Sequence, residues 1–176
     1  MSNQTLVGIL ESQYKASLRM LRTVIEKTPD EELYASEYSN PSWQIAYHAI
    51  WGTQFYLGAN AESFIPREEA IEGAESLGGT EEWENPDEGV VVDGQNTPEE
   101  LLSFIDDIEN GLRDALEELP LGEPSGFDWY PFSRFELHIN SIRHIQHHTA
   151  QLIERLKLKS ITGFPWATNG KPQQEW

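Results

Sequence analysis

The sequence predicts an all-α protein: a four-helix bundle of up-down-down-up order with a long crossover between its second and third helices. Three observations carry this. Four stretches repeat apolar residues every three or four positions. Each of the last three opens on a helix-start pattern. The segment of about residues 61–96 far exceeds the ~2–8 residues that join antiparallel neighbours in a bundle. A connection that long can run the length of a bundle and leave the helices on either side of it parallel.

The first helix is expected from about Gln4 to Lys27, with Leu6, Ile9, Leu10, Tyr14, Leu18, Leu21 and Ile25 forming one apolar stripe. Thr28-Pro29-Asp30-Glu31 then reads as a capping box that opens a short extra turn. Asn40-Pro41 reads as an N-cap followed by proline in the first helical position. The second helix runs from there to about Asn60. Gly52 and Gly58 lie inside it, each weakening the helix by roughly 1 kcal/mol relative to alanine. A glycine kept at that cost could allow a neighbour to pack closely. The third helix opens at Thr97-Pro98-Glu99-Glu100 and carries Leu101, Phe104, Ile105, Ile108, Leu112 and Leu116 at helical spacing. The fourth opens at Ser133-Arg134-Phe135-Glu136 and ends in Lys157 and Lys159, where cations suit the helix dipole.

Length fits one domain over residues 1–176. Its crossover concentrates acid, from Glu62 to Asp93, against the single Arg67. Such a segment is expected to solvate and to move more than the bundle, with Phe64, Trp83 and Val90 to Val92 as anchors. A lid or partner surface is the other reading. The tail of about residues 160–176 is broken by Gly163, Pro165, Gly170 and Pro172. Phe164, Trp166 and Trp176 suggest that part of it packs back on the bundle.

Twelve Lys and Arg face thirty Asp and Glu, a formal net charge of −18. Phosphates would be repelled over much of such a surface, so nucleic acid and anionic membrane are not expected partners. No apolar run approaches the ~18 residues of a membrane span. Cysteine is absent, which removes disulfides, iron–sulfur ligation and any cysteine nucleophile. That suits a cytoplasmic protein. No Ser–His–Asp arrangement stands out either.

Chemistry concentrates in five histidines: His48, His138, His144, His147 and His148. His144 and His148 lie about 40° apart and one turn apart on the fourth helix, the separation with which two imidazoles chelate one ion. Surface decoration is the other reading of that pair. His147 points roughly 60–100° away from them and reads as solvated. His138 falls within the aliphatic stripe and reads as a core or helix-end residue. His48 sits on an apolar face of the second helix with Gly52, Phe55 and Ala59. It is either a core histidine or the partner that an i,i+4 pair on a facing helix would need. Three neutral imidazoles with one position left open are the arrangement of a catalytic metal rather than a structural one.

Ser42-Trp43-Gln44-Ile45-Ala46-Tyr47-His48 and Arg143-His144-Ile145-Gln146-His147-His148-Thr149-Ala150-Gln151-Leu152 resemble the two signature segments of the DinB/YfiT-like superfamily. The resemblance implies a four-helix bundle whose metal triad maps onto His48, His144 and His148. It implies a divalent ion, zinc or nickel, and for several members a thiol-dependent transferase or isomerase using a low-molecular-weight thiol as co-substrate. With the aromatic-rich tail it also implies self-association, a homodimer. The acidic crossover and the tail lie outside it.

With no nucleophile of its own in view, the protein must take one from the metal or from a second substrate. Bound water gives a hydrolase; a bound thiol gives an S-transferase acting on a small molecule. A non-catalytic bundle that binds metal or protein is the third reading. Gln44, one turn before His48, and Gln151, near the other two ligands, are candidates to orient the rings through their outer nitrogens. Ordinary polar side chains at a helix edge would look the same. Tyr47, Trp51, Trp129 and Tyr130 could line a pocket or simply pack. Metal binding is expected to weaken as pH falls through about 6.5, where free imidazole takes up protons.

Overall fold

A computed structural model describes residues 2–78 and 92–171. Five helices make up the described chain: α1 (Asn3–Lys27), α2 (Asp30–Leu33), α3 (Ser42–Leu57), α4 (Pro98–Glu118) and α5 (Arg134–Leu158). There is no strand among the described residues, only an isolated bridge between Pro124 and Ser133.

The helix starts follow local chemistry. Thr97 caps α4 in a full capping box: its hydroxyl accepts from the Glu100 N–H, and the Glu100 carboxylate accepts from the Thr97 N–H. Ser133 likewise accepts from the Glu136 N–H at the head of α5, and Ser2 from the Thr5 N–H at the head of α1. Two expected caps are not made. The Thr28 hydroxyl bonds back to the Val24 carbonyl, so α2 starts at Pro29 without a side-chain cap. Asn40 turns its amide to the Leu77 carbonyl, and Pro41 stands at the α3 N-cap. The second long helix also ends earlier than expected. Gly58 is its C-cap in extended conformation, so the chain leaves the helix at Leu57.

α1 packs on α4 and α5, and α3 packs on the same two helices. The contacts fix directions pair by pair. Arg134, at the start of α5, donates to the Gly58 and Ala59 carbonyls past the end of α3. Arg155, near the end of α5, donates to the Asn40 carbonyl ahead of α3. These two helices therefore run antiparallel. Arg22 pairs with Asp106 and Glu109, while Glu11 pairs with Arg113, so α1 and α4 are antiparallel as well.

Between the helices lies one large core, with Tyr14, Leu18, Leu21, Ile50, Ile105, Leu112 and Ile145 almost wholly buried. Each such side chain contributes about 1.5–3 kcal/mol by leaving water. Ile9, expected in the α1 stripe, is 46% exposed; Val7 and Val24 take up buried positions on that helix. Part of the crossover also departs from expectation. Ala74 is fully buried, and Ile71 and Leu77 pack against the core, so residues 71–77 are docked rather than solvated. Phe64 anchors the crossover through Trp51 and Phe55, as its aromatic character suggests. Trp83, Val90, Val91 and Trp176 lie outside the described residues. In the tail, Ala167 packs on Ala16 and Met20, and Phe164 lies under the Lys27 ammonium, while Trp166 stays 66% exposed. No described helix is long and apolar enough to cross a membrane.

His138 is a core residue. It is 1% exposed, and its Nδ1 lies 3.0 Å from the Tyr14 hydroxyl, the donor when the ring carries its proton on Nε2. Burial, helped by the nearby Arg134 charge, lowers its pKa to about 4. The unfolded chain therefore binds a proton at this position between about pH 6.5 and 4 that the folded chain does not. Stability falls as pH drops through that window, by about 3 kcal/mol for a shift of this size. Thermal unfolding followed from about pH 7 to 4.5 should show it, and the slope should be shallower in His138→Gln, which keeps an acceptor for Tyr14 but cannot titrate there.

Candidate metal centre

Antiparallel packing of α3 on α5 brings His48 opposite the turn that carries His144 and His148. The Nε2 atoms meet: His48 Nε2 is 2.8 Å from His144 Nε2, which is 3.1 Å from His148 Nε2. The rings converge edge-on rather than stack, with interplanar angles of 60°, 84° and 81°. The three offer one ligand atom each within 4.8 Å of one another, a group that could hold a metal ion. No Asp or Glu among the described residues joins the group.

Outer hydrogen bonds set the direction of two lone pairs. The His48 Nδ1 is 2.5 Å from the Glu75 carbonyl oxygen, which can only accept. Its proton is thus on Nδ1, which leaves the Nε2 lone pair as the ligating one. The His148 Nδ1 is 2.8 Å from Gln151 Oε1, with the same consequence. The His144 Nδ1 is buried without a hydrogen-bond partner, against α3. Gly52 makes room for it. A Cβ at position 52 would stand 3.0 Å from His144 Cε1 and 3.3 Å from Nδ1. The glycine inside α3 therefore has a local reason: it admits the imidazole of the facing helix.

Charge on these rings is disfavoured. Burial first, then repulsion from the neighbouring imidazoles, lowers the pKa of His144 and of His148 to about 3 each. Both stay neutral well below the ordinary imidazole range. Proton competition near pH 6.5, as free imidazole would show, does not apply to these two while the chain is folded. The donor set fits a divalent ion. Ligands of a tetrahedral zinc with nitrogen at about 2.0 Å stand about 3.3 Å apart, close to the two Nε2 separations here.

The remaining sequence candidates separate cleanly. His147 is exposed and touches the group only through the edge of His148, with centroids 4.9 Å apart. His138 belongs to the core. Gln151 orients His148, as one reading of the sequence had it. Gln44 is bonded instead to the Ser76 carbonyl, one residue from the one that holds His48, so it braces the docked crossover. Tyr47 lines a different cavity, with Arg67 and Phe104. Trp51 stacks on Phe55. The aromatic ring against His144 is Tyr56, at 6.3 Å, and Trp129 reaches the site only through it. Neither Tyr56 nor the Glu75 carbonyl was expected. Tyr56 lies on the same helical face as Gly52, which is the signal that could have found it. A loop carbonyl leaves no mark in a sequence.

Beside His148 opens a groove of about 410 Å³, lined among others by Tyr38, Asn40, Ile45, Leu77 and Gln151. The chain matches no curated protein and no solved structure. The family model described as the DinB superfamily matches residues 13–152, a span that takes in both histidine segments. With the all-helical architecture and the three converging imidazoles inside that span, the chain belongs to the DinB superfamily.

Proposed function

We propose that this protein is a metal-dependent enzyme in which His48, His144 and His148 hold one divalent ion, zinc or nickel, and that it acts as a thiol-dependent S-transferase on a small molecule. The observation that supports it best is the convergence of three Nε2 atoms, one of them on His148, which also lines a groove among the described residues. An ion held by three neutral ligands keeps its full charge, and supplies Lewis acidity that favours the anionic form of a thiol or of water. The chain's own residues do the rest. The Glu75 carbonyl and Gln151 fix the tautomers of His48 and His148, so both rings aim Nε2 inward. Gly52 leaves the His144 ring space to complete the trio. The groove gives room for a small substrate and its partner thiol on the His148 side. With no cysteine in the chain, the sulfur nucleophile comes from outside.

The test is a turnover screen on tag-free protein loaded with zinc or nickel, with bacillithiol, mycothiol, glutathione or coenzyme A and a panel of small electrophiles. Consumption of free thiol that requires both metal and His148 is the expected result. Ester or amide cleavage without any thiol would replace the transferase by a hydrolase. Metal binding without turnover in either screen would leave a non-catalytic bundle.

A further inference from the structure

The groove beside the histidines holds a cation at its far end. Arg155 follows His148 by seven residues, so the two share one face of α5, about two turns or 10 Å apart along the axis. Both line the groove, with Gln151 between them. Among the described residues, only Nη1 of the guanidinium has hydrogen-bond partners, the Asn40 carbonyl at 3.0 Å and the Ser42 hydroxyl at 3.4 Å. The Tyr38 ring covers its face, 3.8 Å from Cζ. No carboxylate of a described residue lies within 4 Å of it. Glu37, the acid that acts on it from farther off, is held at 3.0 Å by Lys159. In a chain of net charge −18, a half-buried arginine with no paired acid among the described residues stands out. Beside it, Asn40 Oδ1 is buried without a partner.

We infer that Arg155 is a specificity-determining residue: its free guanidinium edge binds the oxyanion head group of a substrate, a carboxylate or a phosphate, whose reacting end lies at the histidines. The inference rests on the metal-site reading above for the position of the reacting end. Tyr38 and the Nη1 hydrogen bonds hold the guanidinium plane still, so its remaining N–H groups are preset for a planar or tetrahedral oxyanion. The spacing selects elongated acids over short ones. An acid that reached only one of the two ends would lose the benefit of the other.

Cobalt(II)-loaded protein tests this through the sulfur-to-cobalt absorption band, with 8-mercaptooctanoate, 8-mercaptooctanol and 3-mercaptopropionate as probes. The long acid should bind about tenfold tighter than the long alcohol, the scale of a charge-assisted hydrogen-bonded pair. The short acid should show no such advantage over its own alcohol. In Arg155→Gln the advantage should vanish while cobalt loading is unchanged. Ser39→Asp and Ser39→Lys, on the exposed rim of the groove, change the charge there; they should weaken and strengthen the acid, respectively. Competition by acetate against inorganic phosphate tells the two head groups apart. If cobalt does not load, the metal-site reading fails, and octanoate against octanol on the metal-free protein, read by calorimetry, still decides the subsite. Equal affinity for acid and alcohol, or an acid advantage unchanged in Arg155→Gln, overturns it.

Discussion

Replacing His144 or His148 by alanine should abolish tight binding of a divalent ion, while His147→Ala should keep most of it. All three sit on one turn of α5, so the contrast comes from direction rather than distance along the chain. His144 and His148 present Nε2 atoms 3.1 Å apart to the same point, and His48 Nε2 closes on that point from α3. His147 is exposed and contributes no atom to the group. Losing a partner that merely orients a ligand costs about 10–100-fold in affinity, so loss of the ligand itself should exceed about 100-fold. Competition titration with a chromogenic chelator measures all three variants. Equal losses in His147→Ala and His148→Ala would mean that the ion sits elsewhere.

Gly52→Ala is expected to produce a folded protein that binds metal poorly. Alanine raises helix propensity by roughly 1 kcal/mol inside α3, so the backbone has no reason to unfold. The added methyl stands 3.0 Å from His144 Cε1, so the ring must give way by a few tenths of an ångström. That displaces Nε2 within the trio. Metal affinity should fall by about 10–100-fold, as for a disturbed supporting residue, with the unfolding temperature unchanged or raised. A Gly52→Ala protein with full metal affinity would show that the close approach of α3 to His144 does not matter to the site.

Much of this was legible in the sequence because it depends on periodicity. A spacing of four on one helix places His144 and His148 on one face whatever surrounds them, and Thr97 and Ser133 cap because each hydroxyl accepts from the backbone N–H three positions on. What stayed hidden depends on partners distant in sequence. Asn40 has the chemistry of an N-cap, yet Leu77 competes for its amide from a docked stretch of crossover. Gly58 could continue α3 or end it, and the carbonyls of Gly58 and Ala59, used by Arg134, go with ending it. Its charge marks the crossover as a solvated loop. Its apolar minority, Ile71, Ala74 and Leu77, docks residues 71–77 and delivers the Glu75 carbonyl to His48. Net charge describes the solvent side of such a segment and says nothing about its inner side.

The central claim is that three imidazoles from two helices hold one ion. X-ray absorption at the metal edge, on tag-free protein with its metal content quantified, tests it most directly. The account predicts one ion per chain and a nearest shell containing three histidine nitrogens, at about 2.0–2.1 Å if the metal is zinc. The histidine contribution should be lost in His148→Ala. A stoichiometric ion whose shell holds fewer than three imidazoles, or a carboxylate in place of one, would contradict it.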